Sequence, residues 1–178
     1  MKENPENLNI QAIEFASRGE YKEAIACFKR ALSIQNKNHL LWYNLGITYR
    51  DAGELQKAKD SLLTAFKLSP ENESIIETLA HICFLLSEYT EALSFCEEGL
   101  SVNPINHHLW NNSGVIYFAT DDYEKACEAF EKAVTIDPNY YDALYNLRDT
   151  YIQLGNDIGA KECARRLKTM SVGDFYAQ

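Results

Sequence analysis

The sequence predicts an all-α fold, a solenoid of antiparallel helix pairs, on three observations. The 178-residue chain falls into register with itself five times at a period of 34 residues from Pro5 onward, and a fixed period of this size marks stacked helical repeats. In row two, Trp42, Leu45, Gly46 and Tyr49 recur at i, i+3, i+4 and i+7, the spacing of one helix face. Prolines then close three rows, at Pro70, Pro104 and Pro138, where a helix interior cannot continue. A unit of this kind buries its apolar face only against its neighbours.

The rows run 5–38, 39–72, 73–106, 107–140 and 141–174, with a tail over 175–178. In each, roughly the first fourteen residues read as helix A and the next fourteen as helix B. Row one carries Leu8, Ala12, Phe15, Gly19, Tyr21, Ala24, Phe28 and Ala31, with Asn36 where proline is expected. Row two sets the pattern with Trp42, Leu45, Gly46 and Tyr49 on helix A, then a turn at Gly53 and Ala58, Leu62 and Ala65 on helix B. Gly46 and Ala58 are small enough for the two helices to approach closely. Row three is the most degenerate, with Ile76, Leu79, Ala80, Cys83, Tyr89, Ala92, Cys96 and Gly99; a mid-helix glycine costs about 1 kcal/mol. Row four repeats row two through Trp110, Gly114, Tyr117, Ala126 and Phe130. Row five has Leu144, Leu147, Tyr151, Gly155 and Ala160, but Arg148 stands where other rows have Gly or Ala, and Gly159 is expected to leave room for its stem. Its helix B sets Lys161, Glu162, Arg165, Arg166 and Lys168 around Ala164 and Leu167, the polar outer face of a capping repeat. The last residues, Ser171–Gln178, read as a frayed tail, or, through Phe175 and Tyr176, as a segment that docks in a neighbour's groove.

The motif W-x2-L-G-x2-Y at Trp42–Tyr49, followed by A-x3-F at Ala126–Phe130 and its counterparts and by the closing prolines, resembles the tetratricopeptide repeat (TPR) family over nearly the whole chain. The resemblance implies one domain over 1–178, a right-handed α-α superhelical solenoid that binds proteins. Row five departs from the family pattern at Arg148. The resemblance places peptide ligands on the concave face, lined by row positions 2, 5, 6, 9, 12 and 13 of the A helices. The groove candidates are Asn9, Ile13, Tyr43, Asn44, Ile47, Glu77, His81, Asn111, Asn112, Val115, Tyr145 and Asn146, with Arg50, Phe84, Phe118, Asp149 and Ile152 beside them. Phe84 and Phe118 have a second reading, packing between adjacent A helices. Position six reads Ile10, Asn44, Thr78, Asn112, Asn146. Regularly spaced amides can hydrogen-bond a peptide main chain, or they can make local bonds, and both readings stand. The clamp with which one TPR subclass holds a terminal carboxylate needs Lys at position five of one row, then Lys and Arg at positions two and six two rows later. Asn9, Tyr43, Glu77, Asn111 and Tyr145 occupy position five, and Glu6, Leu40, Ser74, His108 and Asp142 position two, so a chaperone-tail adaptor is not expected.

Charge narrows the partners. Net charge is −9, and between Leu68 and Glu124 there are ten acids and no Lys or Arg. Such a surface favours solubility or steers a basic partner, and it lacks the basic footprint nucleic acid requires. No apolar run reaches ~18 residues, the length a membrane span needs, and no signal peptide opens the chain, so a cytoplasmic location is expected. The five cysteines include no C-x2-C pair and read as buried thiols; a Cys83–Cys96 bridge is not required. No catalytic motif occurs, and His39 and His107 stand two rows apart. No enzyme activity, metal or cofactor is expected. The expected function is a non-enzymatic scaffold or adaptor for a peptide or protein partner. A self-associating assembly protein, joined through the terminal repeats or the tail, and a dedicated chaperone are the alternatives.

Overall fold

A computed structural model describes residues 4–173. Among the described residues there are ten α-helices and no strand: α1 (Pro5–Ser17), α2 (Tyr21–Ile34), α3 (His39–Asp51), α4 (Leu55–Leu68), α5 (Glu73–Leu85), α6 (Tyr89–Val102), α7 (His107–Ala119), α8 (Tyr123–Ile136), α9 (Tyr141–Gln153) and α10 (Asp157–Gly173). The odd-numbered A helices begin at Pro5, His39, Glu73, His107 and Tyr141, the first residue of each row. The tail over 175–178, with Phe175 and Tyr176, lies outside the described residues. No helix is long and apolar enough to cross a membrane among those described.

Local chemistry fixes these starts. Asn4, Asn38, Asn72 and Asn106 each sit in extended backbone one residue before an A helix. Their side-chain oxygens accept from N–H groups of the first turn, at 2.8 Å for Glu6, 3.0 Å for Leu40, 3.3 Å for Ile75 and 3.1 Å for Leu109. Asparagine is among the best N-caps because it satisfies donors the helix leaves orphaned. The fifth A helix has Tyr140 instead and no side-chain cap.

The A-to-B turn also repeats. Residues 19, 53, 87, 121 and 155 all have positive φ, as Gly19, Gly53, Ser87, Asp121 and Gly155. The next N–H reaches back five residues, as in Glu54 to Tyr49 O at 2.8 Å and Asn156 to Tyr151 O at 2.8 Å. This is the Schellman termination, whose left-handed residue is usually glycine. Ser87 and Asp121 hold that conformation despite a Cβ.

The chain divides into two compact units, one ending at Glu91 and the other beginning at Ala92. In the first, Ala12, Ala24, Phe28, Leu45, Leu62, Ile75 and Leu79 are buried. Close approach between helices depends on glycine there: a Cβ on Gly46 would stand 2.7 Å from Leu62. In the second, Ala126, Phe130, Ala133, Leu144, Leu147, Cys163 and Leu167 form the core, and a Cβ on Gly114 would meet the Phe130 ring at 2.6 Å. Two indoles tie successive repeats: Trp42 Nε1 donates to Asn36 O at 2.8 Å, and Trp110 Nε1 to Pro104 O at 2.9 Å.

Three local expectations change. The space at Gly159 is taken by the Tyr151 ring, 2.7 Å from where a Cβ would stand. Arg148 lies instead over the Tyr145 ring, 4.1 Å from its centroid, and donates to Asp149. The buried stripe of α10 runs through Cys163 and Leu167 while Ala164 is exposed, a shift of one residue. Phe84 and Phe118 turn to the first residue of the following B helix, with centroids 5.9 Å from Tyr89 and 5.2 Å from Tyr123. All five cysteines are free thiols, and burial pushes the Cys96 thiol up to about 11.

Candidate functional site

The site follows from how A helices of successive repeats lie side by side within each unit. A residue at row position five faces position six of the next row, 35 residues on. Asn44 Nδ2 donates to Asn9 Oδ1 at 3.1 Å, and Asn146 Nδ2 to Asn111 Oδ1 at 3.1 Å. Tyr43 Oη and Thr78 Oγ1 stand 3.5 Å apart in the same relation. These pairs set the register between neighbouring A helices. They use one donor of each position-six amide, and an amide offers two donors and an acceptor oxygen.

The predicted groove residues all lie on the A helices and differ in exposure. Ile13, His81 and Tyr145 are exposed, while Asn9, Tyr43, Asn44, Ile47, Glu77, Asn112, Val115 and Asn146 are half-buried. Asn111 is buried and lies beneath the surface as the acceptor for Asn146. Ile10, Leu40, Tyr141 and Ile152 add exposed apolar area.

Each unit adds one local feature around these residues. In the first, His81 is an exposed residue whose ring is partly desolvated, and that desolvation, then the Arg50 guanidinium, lowers its pKa. In the second, Val115, Phe118, Asn146 and Asp149 line a recess of about 90 Å³ floored by Phe130. The recess exists because Gly114 admits the Phe130 ring against α7.

One cluster escaped the sequence reading. Lys59 of α4 is buried, and its ammonium donates at 2.7 Å to both Glu88 and Glu91 of the next repeat. Burial disfavours its charge, but the bonds to Glu88 and Glu91 prevail and hold its pKa above the usual lysine range. Cys83 lies beside the same carboxylates, and burial, opposed by Lys59, pushes its thiol up to about 12. Two of the ten acids between Leu68 and Glu124 are thus neutralised from outside the stretch, and a third, Asp122, pairs with Lys125 at 2.7 Å. The caps at Asn4, Asn38, Asn72 and Asn106 also escaped it, although their 34-residue spacing was a usable signal.

Helix pairs stacked in register, displaying a recurring polar and aromatic face, define a helical repeat scaffold. Family models described as TPR repeat and tetratricopeptide repeat match residues 14–50, 39–72 and 107–140. The chain belongs to the tetratricopeptide repeat family. It is 27% identical over 139 residues to the BBSome complex member BBS4 of Bos taurus, covering 78% of this chain and 27% of that protein. It is 29% identical over 161 residues to the peroxisomal targeting signal receptor of Candida albicans, covering 86% of this chain and 27% of that one. The chain therefore spans about a quarter of the length of these curated relatives. Among solved structures, MamA from Desulfovibrio magneticus RS-1 superposes with a TM-score of 0.80 at 19% identity, over 98% of this chain and 97% of that one. PilF of Pseudomonas aeruginosa superposes with a TM-score of 0.82 at 15% identity, over 93% and 76%. Both likenesses concern the fold.

Proposed function

We propose that the chain is a non-enzymatic scaffold that binds a peptide or protein segment along the A-helix face. The observation that carries this reading is the pair of amides at Asn44 and Asn146, each held in place by an asparagine of the preceding repeat. Amides oriented before a ligand arrives bind with less loss of side-chain freedom. Tyr43, Tyr145, Ile13 and Ile47 supply apolar area between the polar points, and the recess beside Asn146 admits a small side chain. That the BBS4 and peroxisomal-receptor relatives bear the names of a complex member and a receptor agrees with a binding role.

The test is capture from a lysate of the source cell, comparing the native chain with an Asn44→Ala, Asn112→Ala, Asn146→Ala variant of equal helicity. A partner held by the native chain should be lost or weakened at least tenfold in the variant, since about 1.4 kcal/mol corresponds to one such factor. Equal capture by both chains would move the binding surface elsewhere.

A further inference from the structure

A second surface lies on the other side of the first unit, away from the A-helix face. Leu32 of α2 and Trp42, Leu45 and Tyr49 of α3 floor a cleft of about 400 Å³, with Lys29 and Lys57 at its edge. That volume lies within the range of sites that accept a ligand. The two ammonium groups stand 5.9 Å and 5.6 Å from the Tyr49 ring centroid. Lys57 also pairs with Glu54, whereas Lys29 has no acidic partner among the described residues. The cleft is therefore apolar below, with Lys29 and Lys57 at one edge and Asp60 also in its lining.

The second unit carries an exposed apolar loop beside acidic residues. At the end of α6, Glu97 and Glu98 are exposed. Val102, the last residue of α6, is exposed at 49%, and Ile105 in the loop that follows at 70%. The residue at the row position of Ile105 is polar in the other rows that have one before a further A helix: Lys37, Glu71 and Asn139. The loop is held in shape, since Ile105 N–H donates to Asn103 Oδ1 at 3.2 Å and Pro104 O accepts from Trp110 Nε1 at 2.9 Å.

We infer that this acidic, apolar loop seats in the α2–α4 cleft of a second copy of the chain. Charge complementarity selects this occupant. Between Arg18 and Lys67 the chain has nine Lys and Arg against five Asp and Glu, while Leu68 to Glu124 has ten acids and no Lys or Arg. Lys29 and Arg30 occupy the row positions that Glu97 and Glu98 occupy two rows later. The site and its occupant thus carry opposite charges at equivalent places. The counterpart of the cleft edge in the second unit, bearing Glu97, repels an acidic visitor, and such repulsion fixes which surfaces meet. The contact joins two different surfaces, so it is heterologous.

Sedimentation velocity on the full chain tests this. At low ionic strength and high protein concentration the native chain should exceed the monomer mass, and 0.5 M salt, with a Debye length of about 4 Å, should return it toward monomer. Ile105→Asp should be monomeric throughout. Lys29→Glu alone, and Glu97→Lys with Glu98→Lys in one chain, should each be monomeric with native circular dichroism. An equimolar mixture of those two chains should associate again, because the acidic loop of the first meets the native cleft of the second and the reversed loop of the second meets the reversed cleft of the first. A native chain that stays monomeric at low salt overturns the inference. So does association that survives these substitutions, or a mixture that fails to pair.

Discussion

At the scale of single residues, register places the candidate residues on the A helices but does not reveal the bonding between them. Ile13, His81 and Tyr145 are exposed, whereas Ile47 and Val115, at the row position of Ile13 and His81, and Tyr43, at that of Tyr145, are half-buried, so row position alone does not decide exposure. The burial of Asn111 depends on Asn146, 35 residues away on another helix, and no single row contains that information. Lys59 was hidden for the same reason, its partners lying 29 and 32 residues on. His81 gives a prediction at this scale. Its pKa is lowered from 6.5 in the folded chain by desolvation and by Arg50, so the unfolded chain binds a proton at higher pH than the folded one. The stability associated with neutral His81 is fully present above about pH 6.5 and declines as pH falls through that value. Arg50→Gln should raise the His81 pKa, read by NMR titration of the ring, while desolvation keeps it from rising above its ordinary value.

The elements were legible where their signals lie within one row. Helix starts at His39, Glu73, His107 and Tyr141 coincide with row starts because the apolar positions keep one 34-residue register through the rows. The A-to-B turns were readable at Gly53 and Gly155, and less so where Ser87 and Asp121 take the same backbone. At Ser87 the left-handed conformation costs a residue with a Cβ about 1–2 kcal/mol, partly offset by the freedom glycine would regain on unfolding. Ser87→Gly should therefore stabilise by about 0.5–1 kcal/mol in denaturant titration. Asn106→Ala should act oppositely, removing the bond to Leu109 N–H at a cost of about 1 kcal/mol. A gain from Asn106→Ala would mean that this cap is dispensable.

At the scale of the whole molecule, the period carries the fold class but not the division at Glu91 and Ala92, because the 34-residue register runs unchanged through it. Charge acts at this scale. With a net −9, much of it between Leu68 and Glu124, the folded chain repels itself even though Glu88, Glu91 and Asp122 are paired. Self-repulsion destabilises a compact state and is screened by salt. The melting temperature, measured at dilution low enough to exclude association, should rise between low salt and 0.5 M salt. A fall would mean that the ion pairs outweigh the repulsion.

The two tryptophans, one in each unit, are clamped by their indole N–H groups to the backbone of the preceding repeat. Each is therefore a built-in optical probe of a different half of the protein. With Trp110→Phe or Trp42→Phe, fluorescence during unfolding would follow one half at a time. Coincident transitions would make the chain a single cooperative body, and separated ones would time the loss of each half.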